Sequence, residues 1–154
     1  MLKDGVYMVI VACADDLYGI MFNHRRQSKD SAVTEDICRM LESEEDNVYM
    51  WIKQYSSSLF VDKEELGKLI IVDDAFSEKC NKADFCFIEG EISAELLGTA
   101  RKVILYRWNR VYPSDCKIDS AVLEEAFIKT EITEFAGSSH ELITKEIYIK
   151  KEEM

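Results

Sequence analysis

Nine residues, Val6 to Ala14 (VYMVIVACA), constrain this chain more than any other stretch. They form a near-continuous apolar run with β-branched side chains and no two-residue alternation. Such a run suits a strand buried on both faces, as in the middle of a parallel sheet. A parallel sheet needs crossover connections, so helical patterns are expected between further strands.

The rest of the chain supplies them. Asp30 to Leu41 places Ala32 or Val33, Ile37, Met40 and Leu41 on one apolar stripe, with Ser28, Asp30 and Ser31 as candidate caps and Glu35 and Asp36 as early acidic residues. Glu42 to Asp46 reads as an acidic turn. Val48–Ile52, Leu69–Val72, Asp84–Ile88 and Val103–Trp108 read as further strands. Gln54 to Phe60 reads as a short helix, Asp74 to Lys82 as a helical turn and loop, and Ile92 to Leu97 as another short helix. Phe127–Phe135 and Leu142–Lys150 approach two-residue alternation, which indicates half-exposed antiparallel strands joined by the turn-rich Ala136 to His140. The expected fold is α/β: a mostly parallel twisted sheet with flanking helices and a C-terminal antiparallel strand pair, in one domain over residues 1–154.

The 154 residues carry 30 acidic and 19 basic side chains, a net charge of −11. This is a poor background for non-specific nucleic-acid binding, which depends on neutralising phosphates with Lys and Arg. No run approaches the length that spans a bilayer, and the start of the chain leads into its apolar run too early for an export signal, so a cytoplasmic protein with no membrane partner is expected. The five cysteines lack CxxC spacing, and His24 and His140 are the two histidines, so no metal site is expected. Cys13, Cys38 and Cys86 sit in apolar patterns and read as small core residues.

In open α/β sheets, ligands bind at the carboxyl ends of the parallel strands. Here those ends are Asp15 to Asp30, Lys53 to Ser56, Asp73-Asp74 and Glu89 to Glu91. Gly19 to Asp30 (GIMFNHRRQSKD) packs the most polar groups into one connection, the kind of loop that a rigid scaffold can aim at a ligand. Arg25, Arg26, Gln27 and Asp30, helped by Tyr55 and Ser56, are the expected ligand-binding residues. A carboxylate beside guanidinium donors suits a heterocycle bearing an anionic group. The bland alternative has Asp30 capping its helix and the arginines forming surface ion pairs.

The order of elements resembles the dihydrofolate reductase fold over nearly the whole chain. VIVACADDLYGIMFN is similar to that family's first strand and loop, KVILYRWNRVYPSD to its sixth strand and exit, and SSHELITKEIYIK to its final strand. The segment between Val72 and Asp84 is shorter by about one strand and one helix. The resemblance implies an acidic residue at the start of the first helix that bonds a pterin ring, and Asp30 is the matching position. It also implies NADPH held by consecutive glycines after the fifth strand. This chain has Ile88-Glu89-Gly90-Glu91 there, one glycine flanked by carboxylates that repel phosphate, and Lys53 alone remains of the phosphate-binding pair after the second strand. NADPH is therefore possible but disfavoured.

A smaller group of uncharacterised bacterial-type proteins, some labelled ribonuclease Z, is similar in its RRQSxD, WxxxYSxxxF and FAGSSHExITKExY segments, matched by Arg25 to Asp30, Trp51 to Phe60 and Phe135 to Tyr148. That label implies a histidine-rich metal motif that two histidines do not supply.

Weaker constellations remain. His140 with Ser138 and Ser139 suggests a nucleophile and base, or simply a turn. Ser56 to Ser58 open a helix and could face an anion. Glu89, Glu91, Asp73 and Asp74 could hold Mg²⁺, or be ordinary acidic loops. Arg107, Trp108 and Arg110 interleave charge and ring, with Trp108 and Arg110 expected on one face. The leading expectation is a small anionic or heterocyclic ligand in the cleft at the strand carboxyl ends. A divergent NADPH-dependent reductase is the enzyme alternative, and a protein-interaction module the third.

Overall fold

The computed structural model describes residues 8–44, 48–61, 69–76 and 84–151. The central strand is β1 (Met8–Ala14), and its neighbours are both parallel to it: β6 (Phe85–Phe87) on one side and β7 (Ala100–Arg107) on the other. Beyond β6 lie β4 (Met50–Ile52) and then β5 (Ile70–Val72), again parallel. Beyond β7 the direction reverses, with β10 (Ile143–Lys150) antiparallel to it and β9 (Phe127–Phe135) antiparallel to β10. Among the described residues the sheet has seven strands in the order β5-β4-β6-β1-β7-β10-β9.

The residues of β1 explain its central place. Met8, Ile10, Ala12 and Ala14 face one core with Leu97, Leu105 and Leu123, while Val9 and Val11 face a second with Val33, Ile37, Ile104 and Tyr106. Helices therefore cover both faces. On one side lies α1 (Ser31–Ser43), which buries Val33, Ile37, Cys38 and Leu41, together with a 3-10 helix, Gln54–Phe60. On the other lie α2 (Ala94–Gly98) and α3 (Ser120–Ala126), which bury Leu97 and Leu123.

Three features depart from the sequence expectation. The Gly19 to Asp30 stretch is not one loop: β2 (Gly19–Phe22) and β3 (Arg25–Arg26) form a hairpin, and β2 also pairs with β8 (Cys116–Lys117) in a small second sheet. Its two turn residues, Asn23 and His24, both have positive φ (53° and 61°), the backbone of the two-residue turns that match strand twist. The helix α3, capped by the Asp119 carboxylate on Val122 N–H, falls where no element was expected. And β9 is exposed along almost its whole length, not on alternate residues, because it is the sheet edge. Lys129, Glu131 and Glu134 keep that edge charged, which discourages pairing with another strand.

The first helix runs two residues past Leu41, into the expected acidic turn. The expected turn from Asp74 to Lys82 lies partly outside the described residues, as does the shortened segment before Asp84. Among the described residues no helix is long and apolar enough to cross a membrane.

Candidate functional site

The parallel strands deliver their carboxyl ends to one edge of the sheet. Because β10 runs antiparallel to β7, with Thr144 opposite Arg107, the connection from β9 to β10 also arrives there. Two clusters form at this edge.

The first is built on Asp30, the N-cap of α1. Its Oδ1 accepts from Ala32 N (2.9 Å), Ser138 N (2.8 Å) and Ser138 Oγ (2.9 Å), and its Oδ2 from Ser139 N (2.9 Å), His140 N (3.0 Å) and His140 Nδ1 (2.9 Å). The side chain is 0% exposed. Burial alone would raise its pKa, but these donors outweigh it and hold the carboxyl well below the usual carboxylate range. An ionised carboxylate only accepts, so His140 donates its Nδ1–H to Asp30, and Nε2 is the acceptor nitrogen of the neutral ring. That nitrogen meets Ser28 Oγ at 3.1 Å and Tyr112 Oη at 3.0 Å. The imidazole stacks on Trp108, ring centres 4.7 Å apart, and is 3% exposed.

Asp15, at the end of β1, holds the surrounding loops. Its carboxylate accepts from the backbone N–H of Leu17, Gly19 and Tyr112 and from Gln27 Nε2, and its carbonyl accepts from the Arg107 guanidinium. One fully buried aspartate thus fixes Tyr112 and the segment carrying Gln27 and Ser28 together. Gly19 permits this closeness, since a Cβ there would lie 2.6 Å from Ser114 Cβ and 2.8 Å from Gln27 Nε2.

The second cluster joins β3 to the 3-10 helix. Arg26 donates to both oxygens of Glu89, Nε to Oε2 at 2.7 Å and Nη2 to Oε1 at 2.9 Å, and its guanidinium lies 4.5 Å from the centre of the Tyr55 ring. Tyr55 Oη accepts from Arg26 N, and Ser56 Oγ donates to Glu89 at 2.7 Å. The hydrogen bonds to Glu89 raise the Arg26 pKa further against the opposing effect of burial, so the guanidinium stays charged.

Of the six expected site residues, Arg26, Tyr55 and Ser56 meet in this second cluster, while Gln27 and Asp30 belong to the first. Arg25 is exposed on the hairpin and joins neither. Asp30 caps its helix and also accepts from Ser138, Ser139 and His140, so every lone-pair direction of its carboxylate is used within the protein. Glu89 does not act as a bare carboxylate toward phosphate, because Arg26 offsets it. The same pairing leaves it unsuited to Mg²⁺, and among the described residues no three His, Cys, Asp or Glu side chains are grouped to hold a metal ion.

Other expectations shift as well. Ser138 Oγ binds Asp30 and Ser31, so the hydroxyls on His140 come from Ser28 and Tyr112. Ser57 Oγ bonds back to Gln54 O instead of facing an anion. Trp108 is buried beneath His140 and is not an open stacking surface, and Arg110 lies over Tyr112. The sequence placed Asp15 only at the end of the first strand and gave Tyr112 no role. The signal available for Asp15 was an aspartate directly after a fully buried strand and four residues before a glycine.

Of the cavities beside these clusters, a narrow and a broad one bear on the site. A narrow one of about 20 Å³ lies between Cys13, Ser28, Asp30, Ile37, Phe87 and Trp108, room for a water or a methyl-sized group. Gln27 also lines it, and Gln27 Oε1 is buried with no donor among the described residues. Burial, with Glu89 next, pushes the Cys13 thiol up, so this cysteine is not a thiolate. The broad cavity, about 820 Å³, shares Phe87, Ile88 and Glu89 with the narrow one and extends to Lys53, Tyr55, Asp74, Phe76, Gly90, Glu91, Leu96 and Asp115.

Among solved structures, the chain is similar to dihydrofolate reductase from Enterococcus faecalis complexed with NADP(H) and RAB-propyl, at a TM-score of 0.55 and 10% identity over 94% of this chain and 96% of that one. The chain has a dihydrofolate reductase-like fold. The parallel strands, the covering helices and the terminal antiparallel pair all follow that plan. No family model matches the sequence, and no curated protein matches it. At this identity the likeness concerns the reductase-like fold and not the chemistry.

Proposed function

We propose that the chain binds a small, flat heterocyclic ligand in the broad cleft at the carboxyl ends of β4, β5 and β6. The observation that carries this reading is the composition of that cleft. Its volume of about 820 Å³ lies in the ordinary range for small-molecule sites. Met21, Phe76, Phe87, Ile88 and Leu96 give it an apolar lining, and the half-exposed Tyr55 ring stands at its edge on the Arg26 guanidinium.

The rim selects among ligands. Asp74, Glu91 and Asp115 line it against Lys53 and His24, with Glu89 already offset by Arg26. Carboxylates there favour a ring bearing N–H donors or positive charge over one bearing phosphate. The anionic half of the expectation is thus the weaker one. Tyr55 would contact the ligand, and Arg26 and Ser56 would act by holding Glu89 and Tyr55 in place.

A nicotinamide-dependent reductase is the second reading, favoured by Lys53 and Gly90 in the same cleft and opposed by the rim's carboxylates. A thermal-shift titration separates them, because a ligand that binds the native state raises the melting temperature by mass action. Free pterins and diaminopyrimidines should give saturable rises, and NADPH and nucleotides none. A saturable rise with NADPH would restore the reductase. Silence from every small molecule would leave a protein partner as the better account.

A further inference from the structure

The first cluster carries a reading that owes nothing to the broad cleft. We propose that Ser28, His140 and Asp30 form a nucleophile, base and carboxylate that transfer a short acyl group from an ester to water. The three requirements of such a device are a hydroxyl on the base, a carboxylate on the base's other nitrogen, and an open place beside the hydroxyl.

All three are present. Ser28 Oγ lies 3.1 Å from His140 Nε2, and His140 Nδ1 lies 2.9 Å from Asp30 Oδ2. Asp30 is held ionised by six donors, so the imidazole has one tautomer and one orientation, with its acceptor nitrogen on the serine. Trp108 stacked on the ring removes the remaining rotational freedom. Ser28 is half-buried and borders the narrow cavity, whose wall includes Cys13, Ile20, Val33 and Phe87. That space, about 20 Å³, takes a formyl hydrogen or the methyl of an acetyl group and excludes a long chain.

The chemistry balances without any further reagent than water. Ser28 Oγ bonds to the carbonyl carbon while its proton passes to His140 Nε2. As the tetrahedral adduct collapses, the bond from carbon to the alcohol oxygen breaks, and that oxygen takes the proton from Nε2. Water then attacks the acyl-serine, giving a proton to Nε2 that returns to Ser28 as the carboxylic acid leaves. Tyr112 shares Nε2 with Ser28 in the resting site.

The same contacts would also serve as a purely structural clasp, so the test must read reactivity. The intact protein is treated with a fluorophosphonate probe, and the modified peptide is located by mass spectrometry. Hydrolysis of p-nitrophenyl acetate is followed alongside, in the wild type and in Ser28→Ala, a substitution that removes one hydroxyl from a half-buried site and should leave the melting temperature within a few degrees. The expected result is one adduct, on Ser28, and a fall in hydrolysis of at least a hundredfold in the variant. A folded protein without an adduct, an adduct elsewhere, or hydrolysis unchanged in Ser28→Ala would each overturn the proposal. Because neither readout involves the broad cleft, failure here leaves the heterocycle reading standing, and the converse holds.

Discussion

Asp30 and His140, 110 residues apart, are joined twice over: the Asp30 carboxylate takes both the backbone N–H and the ring Nδ1 of His140, at 3.0 and 2.9 Å. This pair fastens the start of α1 to the connection between β9 and β10. It therefore closes the sheet edge at which the ligand-accessible strand ends gather.

Replacing Asp30 by Asn keeps the shape but removes the charge that four N–H groups, one hydroxyl and the imidazole converge on. The expected loss is ~3 kcal/mol or more, as for breaking other buried charge-assisted networks. Urea unfolding of the variant measures it. A loss under about 1 kcal/mol, the worth of an ordinary helix cap, would mean that Asp30 does no more than cap.

Gly137 is required by the same clasp for reasons of space. A Cβ on it would lie 2.5 Å from His140 O and 2.6 Å from Asp30 Oδ2, whereas a Cβ on Gly90 would meet nothing within 4 Å. Gly137→Ala should cost about 1–3 kcal/mol, the usual range for overpacking. Gly90→Ala should stay within about 0.5 kcal/mol. Melting curves of the two variants check the contrast, and equal effects would contradict it.

Acid should unfold the protein through its buried and half-buried carboxylates. In Asp30, Asp36 and Glu146 burial works against ionisation, but hydrogen bonds and cations outweigh it: Ser138, His140 and Ser139 at the first, Lys145 and Tyr106 at the second, Lys129 and Arg107 at the third. Each folded-state pKa is thus depressed. The unfolded chain binds more protons in acid, so stability rises with pH across that window, is complete above the unfolded carboxylate values of about 4, and is lost below them. Urea midpoints should be level from about pH 5 to 7 and fall steadily below about pH 4. A midpoint unchanged at pH 3 would contradict this.

The two neighbouring arginines should behave differently. Arg25→Ala removes an exposed side chain and should alter stability by less than about 0.5 kcal/mol. Arg26→Ala leaves Glu89, 10% exposed, without its bidentate partner and should cost about 1–3 kcal/mol. Thermal unfolding of the unliganded variants checks both, and an Arg26→Ala protein as stable as wild type would mean the pair is not formed.

What could be read in the sequence was whatever depends on local pattern. The doubly buried β1, the apolar stripe of α1 with Asp30 before it, and the alternation of β10 each declared themselves within about a dozen residues. The α3 helix, with Asp119 ahead of Val122, Leu123 and Ala126, carried a readable cap and stripe but is only two turns long. The β2–β3 hairpin was hidden because Asn23-His24 lacks the glycine that usually marks such a turn. The site was less legible than the fold. Asp30, Arg26 and His140 each looked notable, but their partners are set by the sheet order, which brings Glu89 to Arg26 and Ser28 to His140 from 63 and 112 residues away. No spacing rule reaches that far.

The cleft itself is tested most directly by amide NMR with a diaminopyrimidine or a free pterin as titrant. Saturable shifts should concentrate on Lys53, Tyr55, Gly90, Glu91 and Leu96, with little change along the exposed edge strand from Phe127 to Phe135. No saturable shift with any ring compound, or shifts centred on that edge strand, would contradict the account.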